Sequence, residues 1–159
     1  IEIGGRMSLA TEISKYLQEE TVFREDLFEE KKILIVGATG GIGLAVSCLF
    51  KRLGANLMLV ARKEDRLSKI VKYLEAAGKG EISFCKIDVR DLEQVEALFR
   101  DRIDSELFDC VVNCAGGQFP QPAIDFDKKG WEAVIDTNLN GSWNLMSTAA
   151  QSGKGKTNP

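Results

Sequence analysis

Seven residues, Gly37-Ala38-Thr39-Gly40-Gly41-Ile42-Gly43, stand between an apolar run, Lys31-Lys32-Ile33-Leu34-Ile35-Val36, and a helix-like stretch, Leu44-Ala45-Val46-Ser47-Cys48-Leu49-Phe50. A chain that passes from a strand into a helix through so many glycines turns sharply and brings strand and helix too close together for a Cβ. The first turn of such a helix offers N–H groups without intrahelical partners, and its dipole favours an anion. The segment therefore predicts a phosphate-binding turn of the dinucleotide type. Glycine-rich turns also join strands to helices where no ligand binds, so the rest of the chain must decide.

The spacing of apolar residues predicts strands over 31–36, 56–61, 81–87 and 108–113. Between them it predicts helices over 44–50, 63–77 (stopped by Gly78) and 91–104, and after the last strand one long helix over 128–151. Alternation of this kind implies an α/β fold, a doubly wound parallel sheet with right-handed crossovers, whose ligands lie at the carboxyl ends of the strands. Leu9, Ile13, Tyr16 and Leu17 mark an amphipathic helix in an N-terminal helical arm (7–30), expected to cover a sheet edge or a partner. Residues 1–6 precede Met7 and read as a leader or cloning scar.

The chain has 159 residues and a formal net charge of −3, enough for one sizeable core and without the basic footprint that nucleic acid or acidic membrane surfaces demand. No run approaches the roughly 20 apolar residues of a membrane span. The N-terminus lacks a secretory pattern, so a cytoplasmic location is expected. Histidine is absent, which excludes Ser-His-Asp and Cys-His catalysis and any His-containing zinc site built from this chain alone. Cys48, Cys85, Cys110 and Cys114 show no Cys-x-x-Cys spacing and are expected to be buried, reduced thiols; no metal site is expected.

With the glycine turn after the first strand, Asp88 after the third, Asn113-Cys114-Ala115-Gly116 after the fourth and Thr137-Asn138-Leu139-Asn140-Gly141 in the last helix, the chain resembles the short-chain dehydrogenase/reductase family from Lys31 onward. The Asn113 motif and Asn138 resemble its shorter, classical branch, although the turn also fits the Gly-x-x-Gly-x-x-Gly of the extended branch, and Val36 stands where many members have threonine. The resemblance implies a Rossmann fold. It makes Gly37, Gly41 and Gly43 the glycine pattern and places Thr39, Gly40 and Ile42 on the pyrophosphate side. It also implies that Asp88 accepts from the adenine amino group beside the Val89 backbone, and that Asn113, Ala115 and Gly116 support the central sheet and pack near the nicotinamide ribose. A helix cap is the plainer reading of Asp88. Asn138 is implied as a catalytic residue that holds a water on a proton relay; a satisfied core amide is its plainer reading.

An acidic residue about 20 positions after the glycine turn accepts from the ribose hydroxyls of NAD. Here Arg62 and Lys63 stand at the end of the second strand, and a guanidinium forks onto a 2′-phosphate, so NADP is favoured over NAD; the plainer reading is a solvated helix start. The loop Gly116-Gly117-Gln118-Phe119-Pro120-Gln121-Pro122, with Lys129-Gly130-Trp131 after it, resembles that of peroxisomal trans-2-enoyl-CoA reductases and their bacterial relatives. That likeness implies hydride transfer from NADPH to an enoyl thioester such as an acyl-CoA ester, a ketone or alcohol being the alternative substrate, with Gln118 and Phe119 near the substrate and a homo-oligomer at full length.

The family's proton donor is a tyrosine with a lysine four residues later. Only Tyr16 and Tyr73 occur, followed at that spacing by Glu20 and Ala77. The sequence is therefore expected to be a C-terminally truncated Rossmann domain (31–159), lacking the later strands and the catalytic serine, tyrosine and lysine. A non-catalytic NADP-binding module or split-enzyme subunit is the alternative. The phosphate-loop-like Ala150-Gln151-Ser152-Gly153-Lys154-Gly155-Lys156-Thr157 follows a helix rather than a strand, the wrong context for a nucleotidase. Truncation exposes the apolar face of the last helix and the edge of the fourth strand. Size exclusion and thermal melting are expected to show self-association or weak stability, whereas a monomer melting sharply at high temperature opposes the expectation.

Overall fold

In the computed structural model, which describes residues 7–100, 107–118 and 120–153, the apolar runs pair into one parallel sheet. The strands are β1 (Lys32–Val36), β2 (Asn56–Ala61), β3 (Ile82–Lys86) and β4 (Cys110–Asn113), in the spatial order β3-β2-β1-β4. Helix α1 (Leu9–Gln18) precedes the sheet, and α2 (Gly41–Arg52), α3 (Glu64–Glu75) and α4 (Leu92–Arg100) connect the strands. After β4 come a short 3₁₀ turn (Ala123–Asp125), α5 (Lys128–Ile135), a π-helical turn (Asp136–Asn140) and α6 (Gly141–Ser152). The strand order reverses between β1 and β4, which opens a crevice at their carboxyl ends.

Side-chain alternation along β1 and β2 divides the interior in two. Ile33, Ile35, Leu57 and Leu59 face α2 and α3, packing with Leu44, Cys48, Leu67 and Ile70. Leu34, Val36, Met58 and Val60 face the other way, onto Val95, Leu98 and Phe99 of α4 and Leu145 of α6. Burial on both faces is why these two strands read as unbroken apolar runs, each such side chain contributing about 1.5–3 kcal/mol.

Several expectations are corrected. Ile13 of α1 is buried in the α2–α3 cluster, with Leu9, Tyr16 and Leu17 against it, so the arm lies on two helices and not along a sheet edge. The helix after the glycine turn begins at Gly41, inside the turn itself. The long helix expected over 128–151 is present as one continuous helical run, with one wider, π-helical turn inside it. Of the cysteines, all free, only Cys48 is buried; burial, with the Glu12 charge adding to it, pushes its thiol up to about 12. Cys110 is exposed on β4, where the expected burial fails because β4 is the sheet edge. Trp131 on α5, Leu139 in the π-helical turn and Trp143 and Met146 on α6 are all more than half exposed. No helix among the described residues is long and apolar enough to cross a membrane.

Two charged side chains fasten the base of the fold. Lys51, almost fully buried at the end of α2, donates to the carbonyl of Gly80, whose positive φ completes the turn into β3. Burial lowers the affinity of its amine for a proton, opposed by the Glu75 charge. Asp109 accepts from the Lys32 backbone N–H at 2.8 Å and from Lys31 Nζ at 3.1 Å, tying the start of β4 to that of β1. The Lys32 N–H bond, followed by the lysines, holds this carboxyl below the usual carboxylate range. A depressed folded-state pKa stabilises above the unfolded value of about 3.9, and the contribution is lost as pH falls through the folded value. Asp109→Asn is expected to cost about 1 kcal/mol at pH 7, allowing for solvent screening, and progressively less as the pH falls below the unfolded value, as measured by urea melts across that range.

Candidate functional site

The geometry of the glycine turn follows from two close approaches. Gly37, at φ 81°, leaves β1 so close to β4's end that a Cβ on it meets the Cys114 carbonyl carbon at 2.5 Å. Gly43, buried in the first turn of α2, leaves 2.3 Å between an added Cβ and the Gly37 carbonyl oxygen. The outer side differs: Gly41 has open space where its Cβ belongs, and Ile42 is 76% exposed. Gly40, the N-cap of α2, supplies no side-chain acceptor. The first-turn N–H groups of α2 therefore face a space suited to phosphate oxygens, and the residues present fit a pyrophosphate there.

A crevice of about 560 Å³ opens from this turn across the carboxyl ends of the strands. Gly37, Thr39 and Gly40 form one wall, Arg62 and Lys63 another, Asp88 and Val89 a third, and Ala115 with Gly116 the fourth. Sequence-predicted residues from all four strand ends thus meet in one place. Gly41, Ile42 and Gly43 adjoin it on α2; Gln118 is exposed in the loop beyond Gly116, and Phe119 lies outside the described residues. Among the described residues no cluster of three or more His, Cys, Asp or Glu side chains suits a metal ion.

Asp88 is held by Arg90, whose Nε lies 2.9 Å from one carboxylate oxygen while Nη2 donates to the other. Those hydrogen bonds, aided by the Arg90 and Arg62 charges, keep the carboxyl below the usual range. Asp88 does not cap α4; Asp91 does, accepting from the Gln94 N–H at 3.2 Å, because it directly precedes Leu92.

Asn113 and Asn138 belong to one hydrogen-bonded network. Asn113 accepts from the Ala115 N–H at 3.0 Å and donates to Ser142 Oγ at 2.9 Å; Ser142 donates to the Asn138 carbonyl at 2.7 Å. The Asn138 side chain exchanges bonds with the Gly117 backbone, accepting from its N–H at 3.2 Å and donating to its carbonyl at 2.8 Å, and it also donates to the Val134 carbonyl. It sits in the π-helical turn and is exposed, so the core-amide reading fails: its partners are the Gly117 backbone in the loop after β4 and the Val134 carbonyl of α5. Ser142 and Asn144 were missed by the sequence reading. Asn144 donates to the Val89 carbonyl at 3.1 Å, and the spacing of Asn138 and Ser142 on one helix face was the available signal. Gly43→Ala is expected to destabilise strongly, because its Cβ meets backbone that cannot retreat, and Asn138→Ala by about 1–3 kcal/mol; thermal and urea melts check both.

Comparison with known proteins covers the same segment. The sequence profile of the short chain dehydrogenase family matches residues 31–157. A 3beta-hydroxysteroid dehydrogenase of Mediterraneibacter gnavus is 39% identical over 116 residues, covering 71% of this chain and 41% of that protein. Among solved structures, the citronellol catabolism dehydrogenase of Pseudomonas aeruginosa superposes with a TM-score of 0.77 at 31% identity, over 85% of this chain and 56% of its own. Actinorhodin polyketide ketoreductase, solved with NADPH, gives 0.72 at 29% identity, over 78% and 48%. The chain spans about half the length of the relatives it matches. A parallel sheet reversing at β1, a glycine turn against β4 and a family match over most of the chain agree: the protein belongs to the short-chain dehydrogenase family, oxidoreductases built on an NAD(P)-binding Rossmann fold.

Proposed function

We propose that this chain is the NADP-binding part of a short-chain oxidoreductase, acting in the cytoplasm, whose parent reaction transfers hydride from NADPH to an enoyl thioester or a carbonyl. The observation that carries the cofactor choice is the wall of the crevice at the end of β2, which Arg62 and Lys63 line directly after Ala61. A cation there favours the 2′-phosphate. The NADPH bound by the polyketide ketoreductase supports the same choice.

When bound, the cofactor supplies the hydride. The chain's own residues then divide the remaining work: the α2 turn takes the pyrophosphate, Asp88 and Val89 line the adenine side, and Asn113, Ala115 and Gly116 border the nicotinamide ribose. Asn138 acts in this proposal through Gly117, holding the loop on which Gln118 and Phe119 approach the substrate, and it takes a place on the proton relay. The hydroxysteroid dehydrogenase and ketoreductase names of two relatives favour a carbonyl or alcohol as reacting group over the enoyl thioester.

A second reading, a non-catalytic NADP-binding module or subunit of a split enzyme, is favoured by the placement of the tyrosines. Tyr16 packs with α1 against the α2–α3 cluster, Tyr73 is exposed on α3, and neither lines the crevice. Turnover of NADPH with enoyl or keto substrates by the purified chain decides between the readings. Fluorescence titration is expected to show saturable binding of NADPH that exceeds that of NADH. Arg62→Ala is expected to weaken NADPH about tenfold and leave NADH unchanged, while equal affinities in the starting protein overturn the cofactor assignment.

A further inference from the structure

We infer that Arg90 is a positioning residue of the cofactor site: it holds the Asp88 carboxylate on its own wall of the crevice, against the pull of Arg62, where it can accept from an adenine amino group. The inference rests on the proposed adenine role of Asp88 and deepens it. Arg90 follows Asp88 by two residues in the turn that leaves β3; Asp88 lines the crevice and Arg90 does not, so Arg90 acts through its partner.

The crevice has walls of opposite charge. Arg62 stands at the end of β2 and Asp88 just beyond β3, the two strands are paired neighbours, and the Arg62 charge acts on the Asp88 carboxyl. Side chains from adjacent strand ends, whose backbones lie roughly 5 Å apart, reach each other easily and attract across the gap that an adenine ring must enter. An Asp88 drawn onto Arg62 narrows that gap and spends its acceptor on the wrong partner.

Three features of the turn oppose that collapse. First, Arg90 grips both carboxylate oxygens: its Nε lies 2.9 and 3.1 Å from them, Nη2 donates to one, and its backbone N–H donates to the other at 3.1 Å. Arg62 acts on the same carboxylate through its charge. Exposed ion pairs contribute little when two long side chains must be ordered to form them. Here the partners are two residues apart, the grip is bidentate, and the Asp88 side chain is only 25% exposed. Second, the Asp136 charge, at the head of the π-helical turn, adds to the hold on the guanidinium, so a carboxylate outside the crevice lining also draws Arg90.

Third, the backbone of the wall is fixed by other groups. The Asp88 N–H donates to Gln94 Oε1 at 3.1 Å, and the Val89 carbonyl accepts from Asn144 at 3.1 Å. Val89 also packs on the start of α6 so closely that a Cβ on Gly141 meets Val89 Cγ2 at 2.6 Å. Removing the guanidinium therefore frees the carboxylate and leaves the wall standing, which separates a positioning role from a structural one.

The test titrates the whole chain, by nicotinamide fluorescence, with NADPH and with its reduced hypoxanthine analogue, in which a carbonyl replaces the adenine amino group. The starting protein is expected to favour NADPH about tenfold, and Asp88→Ala to abolish that preference. Arg90→Met is expected to cut it to about threefold or less with an unchanged thermal melt, and Arg90→Lys, which keeps the charge without the fork, to fall between. An unchanged ratio in Arg90→Met, whether the two affinities stay or fall together, overturns the inference and leaves the adenine role of Asp88 standing. A rising ratio means that Arg90 competes with adenine for the carboxylate, and overturns it too. A starting protein that binds both ligands equally overturns the adenine role of Asp88 and this inference with it, and one that binds neither overturns the NADP reading as well. Should Arg90→Met fail to fold, Arg90→Lys carries the same comparison.

Discussion

The contact between the backbone of Gly37 and that of Cys114 and Ala115 sets the rest of the site. At 2.5 Å from an imagined Cβ, no side chain fits, so β1 and β4 close together at their carboxyl ends and the chain turns away from the sheet at once. That turn places the start of α2 over the crevice with its N–H groups outward. The same approach aligns the Ala115 and Gly116 loop with the glycine turn across the reversal in strand order. Burial of β1 on both faces makes this end of the sheet rigid, and the site is a set of loops held on that rigid edge.

Opposite the turn, the π-helical segment does the corresponding job for the loop after β4. A regular helix offers the Asn138 amide only its own carbonyls or solvent. One wider turn carries it onto the Gly117 backbone while Ser142 and Asn113 hold the helix to the strand end. Such turns recur at functional sites because they aim one side chain without breaking the helix. Asn144, on the same helix, reaches the Val89 carbonyl, so one helix fixes two walls of the crevice.

Much of this was legible in the sequence because it is written in local patterns. The apolar runs give β1 to β4 in order, with boundaries shifted by no more than two residues, and Gly43 has a local steric reason in the Gly37 backbone. What was not legible depends on partners remote in sequence. The wider turn in the last helix accompanies the bonds of Asn138 to the backbone of Gly117, 21 residues before it. The seat of α1 on α2 and α3 follows from which face of Ile13 finds an apolar surface, and periodicity names the face without naming the surface. The choice between the roles of Asp88 and Asp91 turned on where α4 begins, the kind of boundary that patterns locate least well.

The amine of Lys51 has a different kind of consequence. It is sealed beneath the turn into β3, and it serves the Gly80 carbonyl where a backbone donor is missing. A primary amine that reagents cannot reach in the folded chain becomes reachable only when α2 and the β2–β3 connection part. Its acylation rate therefore counts the openings of this end of the molecule, the end farthest from the crevice, and separates local breathing from global unfolding.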